Sequence, residues 1–347
     1  MIDLPSGYNV QCEYIPLWEV CQIINTHYGN IYKLTTDHCY YFSIPIFIIY
    51  PRVIIIPMPT YTQPITELIQ QRFSCRKYNK EPIPVEMQEK LRSMMAELST
   101  GPFGTPMRFD LITAENQDGK ALRGLGTYGF IQGASGFVVG ALGAGQLNLE
   151  EYGYRMEQIV LAATNLGLGT CWLGGTFTKS AFARRIVLQD DERMPAILAI
   201  GLIDDEVQSR KGAIRQYVAG QRRIPWKELF FDRVWGTALS PEDAGEYSRS
   251  LEMVRLGPSA SNKQPWRIVR TDGFFHFFIQ RTKGYRNLMT RLVQIDDMQR
   301  LDMGIAMCHF ELTACELGLN GKWGIVDHGL DLPNDLIEYS VSWILTD

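Results

Sequence analysis

An internal repeat limits this chain more than any other feature of its sequence. Residues 91–112, LRSMMAELSTGPFGTPMRFDLI, are similar to residues 248–269, SRSLEMVRLGPSASNKQPWRIV. Each reads as a helix, a Gly-Pro, a loop and a strand. Residues 155–172, RMEQIVLAATNLGLGTCW, are similar to residues 302–323, DMGIAMCHFELTACELGLNGKW. The Gly-Pro pairs lie 156 residues apart and the Leu-Gly-Leu triplets 151. Two separate anchors at nearly one offset point to duplication of a single unit. The fold must therefore be buildable from two copies of one unit, the second shorter, joined near residues 229–242. We expect an N-terminal extension over 1–60, a first half over 61–235 and a second half over 236–347.

Within the first copy, apolar spacing predicts helices over 65–73 and 85–98, the latter opened by Pro82-Ile83-Pro84. Strands follow over 107–114 and 130–141. A long helix over 149–168 is closed by Gly167 and Gly169. The short apolar run over 196–203 reads as a buried strand. The class is α+β, a mixed sheet flanked by helices. Residues 1–57 differ in composition, rich in Ile, Tyr and Cys and without caps. They read either as sequence upstream of a start at Met58 or as an edge strand or arm, and the composition leans to the first.

Formal net charge is -4, which argues against a general nucleic-acid binder. The greasiest run, 40–58, is interrupted by Pro45, Pro51, Pro57 and Arg52, so a spanning helix there is not expected. The seven cysteines form no CxxC and no zinc spacing. They read as reduced thiols in a cytoplasmic protein, with Cys75 a packing residue. No secretory signal and no metal site are expected.

Three stretches carry chemistry. In Arg72-Phe73-Ser74-Cys75-Arg76, an extended backbone would put Arg72, Ser74 and Arg76 on one face, a fit for phosphate. A solvated basic patch explains the same residues. The loop from Gly257 to Trp266, GPSASNKQPW, offers amides and hydroxyls to a planar polar ligand, or simply closes turns. The run LGLGTCWLGG, 166–175, sets four glycines around Trp172. A helix cap explains Gly167 and Gly169, but not Gly174-Gly175.

In this order and at these distances, RFSCRKY, LGTYGFIQGASGFVVGAL, LGLGTCWLGG and GPSASNKQPWRIV resemble the nitroreductase family, in the branch with two nitroreductase-like halves fused in one chain. The resemblance runs from Thr62 to the C-terminus. It implies a nitroreductase-like mixed sheet, internally duplicated as a pseudo-dimer, and bound FMN. It implies that Arg72, Ser74 and Arg76 hold the flavin's phosphate and ribityl chain, and that Pro258, Ser259, Ala260 and Asn262 hold it from the other half. Leu173, Gly174 and Gly175 would lie by the reactive edge, and Arg210 or Lys211 would add a late basic contact. NADH or NADPH would be the electron donor, and a small electron-poor molecule, such as a nitroaromatic or quinone, the acceptor. No catalytic triad is demanded. The chain departs from the pattern: its first half carries the triplet but reads Gly101-Pro102-Phe103-Gly104-Thr105-Pro106 at the loop, its second half has no triplet and reads Lys322-Trp323-Gly324-Ile325 at the turn without paired glycines, and Ala260 removes one hydroxyl from the loop. One complete site per chain is expected, in a monomer or weak homodimer without nucleic-acid or membrane partners. A flavin-binding protein without turnover, a dehalogenase- or dehydrogenase-like relative and an interaction protein with an empty pocket are the other readings. Gly124 to Gly129 fits GxGxxG but lacks the strand before and helix after that a dinucleotide site needs. His309 reads as packed.

Overall fold

The repeat in the sequence reappears as two sheets with one strand order. The computed structural model describes residues 61–113, 122, 125–209, 223–284 and 295–346, all within one unit, Ile54–Asp347. The expectations for the N-terminal extension, and for Arg210 and Lys211, lie outside the described residues. The first half contains α1 (Ile65–Gln71), α2 (Val85–Glu97), β1 (Met107–Thr113), β2 (Gly136–Leu142), α3 (Asn148–Asn165), β3 (Gly169–Leu173), α4 (Lys179–Arg185), β4 (Ile197–Gly201) and α5 (Asp205–Ser209). Then come β5 (Phe230–Asp232), α6 (Ser248–Leu256), β6 (Trp266–Thr271), β7 (Phe274–Gln280), α7 (Met298–Glu316), β8 (Gly321–Gly324) and β9 (Ile337–Leu345). The first sheet runs β1-β2-β4-β3, and the second runs β5-β6-β7-β9-β8. Without β5, which pairs parallel to β6 from the joining segment, the two orders are identical and wholly antiparallel.

Alternation in the strands explains the layering. Val138, Leu198 and Ile200 face α2 and α3, while Phe137, Val139, Ile197 and Ala199 face a second layer with Phe182 of α4. Both faces of β2 and β4 are covered, which is why they read as unbroken apolar runs. The strand expected over 130–141 begins only at Gly136. Residues 130–135 form a loop with Gly133 at positive φ. Likewise the first helix stops at Gln71, two residues early, because Arg72 takes an extended backbone.

The long helices α3 and α7 lie against each other at the seam between the sheets. Both are buried nearly all round, and their contact is reciprocal. A Cβ at Gly153 would run into the carbonyl of Leu301, and one at Gly304 into the carbonyl of Glu150. Each pair lies 151 residues from its mate, as an isologous dimer contact requires. Both helices end alike. Gly167 and Gly318 sit at φ +80 and +72, and the following Leu168 and Leu319 donate back to Ala163 and Ala314 at 2.9 Å. That is a Schellman cap, for which the left-handed residue is best a glycine. The last residues, Asn165 and Glu316, then catch the entry to α1: Asn165 accepts from Thr62 and Gln63 at 3.2 Å, and Glu316 from Ile65 and Thr66. The chain after α1 is thereby delivered to the seam.

Candidate functional site

The triplet begins where α1 ends. Arg72 is its cap residue in extended conformation, Cys75 N donates to Thr170 O at 2.8 Å, and Ser74 bridges Thr170 in parallel at the edge of β3. Cys75 turns into the core, and burial pushes its thiol up to about 11. Ser74 and Arg76 are exposed on the other side, and the Arg76 guanidinium lies over the Phe130 ring at 4.8 Å. Arg72 is buried, with Nε lacking a partner among the described residues. Burial pulls its pKa down, opposed by the negative field of Glu157.

The second half contributes its loop. Ser259 Oγ accepts from Gln264 N at 2.8 Å, and Asp302 Oδ1 accepts from Ala260 N at 2.9 Å. Ser261, Asn262 and Gln264 all take left-handed backbones, at φ 52, 54 and 47. Such a run is costly for non-glycine residues, so the surroundings must hold it. Part of that hold is Gln264, whose Oε1 accepts from Ile224 N at 2.9 Å. Arg223 adds another, donating to Leu256 O at 2.8 Å and Gly257 O at 2.5 Å. Its pKa falls to about 9, from burial first and then from the positive field of Arg72.

Between these parts lies a cleft of about 440 Å³. It brings together Ser74, Arg76, Gly174, Gly175 and the Pro258–Ala260 loop, as the motifs imply. Arg72, Leu173 and Asn262 are not among its lining residues: Arg72 is buried at the cap of α1, Leu173 packs in the core at the end of β3, and Asn262 is exposed, its Oδ1 accepting from Gln264. The two glycines have a packing reason as well. A Cβ at Gly174 would strike the Met298 sulfur, and one at Gly175 would meet Ile295 at 2.8 Å. The second half's helix therefore approaches this turn closely. Cys171, Trp172 and Phe130 also reach the cleft. Burial raises the Cys171 thiol, offset by Arg76, so it is no ready nucleophile.

Sequence reasoning missed two residues. Arg223 is one of a basic pair just ahead of Pro225-Trp226, which was the available signal. Asp302 lines the cleft from α7 and is buried, with Oδ2 unpartnered among the described residues. Burial pushes its carboxyl well above the usual range, the Ala260 amide opposing and Asp297 adding. Aspartate followed two residues later by Gly304 matches Glu151 and Gly153 in the other copy, so the repeat held the clue.

A mate cleft of about 310 Å³ lies at the equivalent place in the other half, lined by Phe103, Gly104, Thr105, Leu147, Glu151 and Ile325 among others. Among the described residues no Lys or Arg lines it, and Ile325 stands where the first cleft has Gly174. Among the described residues, no helix is long and apolar enough to cross a membrane and no group of His, Cys, Asp or Glu could hold a metal ion. His309 is packed, with Nδ1 2.9 Å from Met253 O and Nε2 3.0 Å from Glu157. The stretch after Leu125 is a turn with no helix following, so no dinucleotide fingerprint forms there.

The family model described as "Putative TM nitroreductase" matches residues 64–314. Among solved structures, a nitroreductase from Thermotoga maritima is 20% identical with a TM-score of 0.52, over 84% of this chain and 98% of that one. A Bacteroides fragilis nitroreductase with bound FMN is 20% identical, over 42% of this chain and 90% of its own, with a TM-score of 0.32. One from Desulfovibrio desulfuricans in complex with FMN is 23% identical, over 40% and 86%, with a TM-score of 0.33. No curated protein matches the chain.

Proposed function

We propose that this chain, which belongs to the TM nitroreductase family, is an FMN-dependent two-electron oxidoreductase with one working site. One observation carries the reading: Ser74 and Arg76 of the first half share a cleft with Pro258, Ser259 and Ala260 of the second. The residues present fit the cofactor. The cleft's volume of about 440 Å³ falls in the range of roughly 300–1,000 Å³ usual for small-molecule sites. Arg76 is the cation among its described lining residues, and it offers a charge-assisted contact to a phosphate of about -1.5 to -2 charges. Phe130, Ile295, Met298 and Leu301 supply apolar surface for a flat ring.

In this reading Arg76 and Ser74 hold the phosphate, with Arg72 and Arg223 adding positive field from behind. Arg210 or Lys211 adds the late basic contact that the family resemblance implies. The turn at Gly174 and Gly175 and the loop from Pro258 to Ser261 embrace the ring from the two halves. When bound, FMN supplies two-electron transfer from NADH or NADPH to an electron-poor acceptor such as a nitroaromatic or quinone. The chain's own part is to bind, orient and shield. No side-chain base is called for: the Cys171 thiol stays protonated and His309 is engaged elsewhere.

The experiment is an absorbance spectrum of the purified protein, repeated without oxygen after NADH and then NADPH. Flavin bands that bleach support an enzyme, bands that persist leave a flavin binder without turnover, and no bands even after loading with FMN overturn the reading. Arg76→Ala should weaken FMN binding by about 10- to 150-fold, from roughly 1.5 to 3 kcal/mol per charge-assisted bond. Unchanged occupancy in a dilute titration would mean that the phosphate sits elsewhere.

A further inference from the structure

Asp302 stands one turn into α7, in the wall of the cleft, and is only 3% exposed. Its two oxygens are unequal. Oδ1 accepts from Ala260 N at 2.9 Å, while Oδ2 is buried with no partner among the described residues. Buried polar atoms in native proteins are almost always paired, and an exception calls for an explanation such as a functional role or a bound water or ion. The duplication supplies a control within the same molecule. Glu151 occupies the matching position on α3, against the matching loop. Both of its oxygens are consumed: Oε2 accepts from Phe103 N at 2.7 Å and Thr105 N at 3.3 Å, and Oε1 from Thr105 Oγ1. In the second half the acid is one methylene shorter, and Ser261, at the loop position matching Thr105, makes no such bond. One half has closed its loop with the acid, and the other has left a buried oxygen unpartnered among the described residues, on a residue of the cleft wall.

We propose that Asp302 Oδ2 is the second half's side-chain hydrogen bond to the bound flavin, an inference that rests on the FMN reading above. Burial favours the neutral carboxylic acid, and Asp297 at the start of the same helix reinforces it. Oδ2 then carries the proton and donates to an acceptor atom of FMN. The charges nearby are otherwise engaged. Asp297 is bridged by Arg281 at 2.8 Å, and Arg300 is bridged to Glu150 at 2.6 Å. Among the described lining residues Arg76 is the cation that shares the cleft. Asp302 is therefore a neutral donor, which orients the cofactor without opposing the positive field that holds its phosphate.

The test is an infrared difference spectrum, FMN-bound minus free. A carboxylic-acid carbonyl band should move to lower frequency on binding, and the band should be missing from the Asp302→Asn spectrum. In parallel, FMN titrations should give Asp302→Asn an affinity within about threefold of the wild type, since the amide donates too. Asp302→Leu should lose roughly tenfold, the size of one ordinary hydrogen bond. If Asp302→Leu fails to fold, the infrared pair decides alone. A wild type that binds FMN with no shift in any carboxylic-acid band overturns the role of Asp302 and leaves the FMN reading standing. A wild type that takes up no FMN overturns that reading itself.

Discussion

His276, on β7, is buried between two hydroxyls, with Nδ1 2.7 Å from Ser342 Oγ and Nε2 2.9 Å from Thr271 Oγ1. It is 2% exposed, and burial, with His328 adding, pulls its pKa down to about 4. In the unfolded chain it would titrate near 6.5. The unfolded state therefore binds the extra proton first as pH falls. His276 leaves stability intact above about pH 6.5 and erodes it between there and about pH 4, by up to about 3 kcal/mol. Urea unfolding across that window should show a steeper loss for the wild type than for His276→Gln. Parallel slopes would mean that the imidazole is not held neutral. The same reasoning at single residues separates packing from chemistry elsewhere: Cys75 and Cys171 both sit in the motifs, yet burial raises both thiols.

At the scale of elements, the α3–α7 crossing is the feature on which the site depends. It is close because Gly153 and Gly304 let backbone meet backbone. Gly304→Ala would drive a methyl into the Glu150 carbonyl, which cannot move without shifting its helix. We expect a loss of about 3 kcal/mol or more, read as a fall in the denaturation midpoint. Gly153→Ala should act alike, because the two contacts are related by the pseudo-symmetry. A Gly304→Ala protein with wild-type stability would show that the helices pack more loosely than described. The crossing matters to the site because Met298, Leu301 and Asp302, on α7, line the cleft together with Ser74 and Arg76.

For the whole molecule, duplication has produced two clefts of unequal content. The triplet follows α1 and has no counterpart in the second half, while the open loop and Asp302 belong to the second half only. Our reading is one cofactor per chain. Flavin absorbance against protein concentration should give one FMN per chain when saturated, and a chain that carries two would contradict the assignment of the mate cleft as empty of flavin. The large-scale plan was legible early: the 151-residue offset of the Leu-Gly-Leu triplets corresponds to the paired helices, their caps and their reciprocal glycines. Strand limits were less legible. Residues 130–135 are apolar enough to read as strand, but pairing with β1 and β4 begins only at Gly136.

The sequence by itself determined what is periodic or local: the repeat, the central helices and their glycine stops, the buried strands, and the residue types in each motif. These follow from spacing and backbone preference, which neighbours in the chain settle among themselves. It could not determine which members of a motif reach the cleft. Arg72 is buried as the cap residue of α1 while Ser74 and Arg76 stand exposed beyond it, Leu173 packs in the core at the end of β3, and Asn262 turns outward on a left-handed backbone held by Gln264. Nor could it single out Asp302, whose importance depends on a bond not made. An unpaired buried oxygen exists only once the second half's loop, its helix and the first half's triplet have been brought to one place.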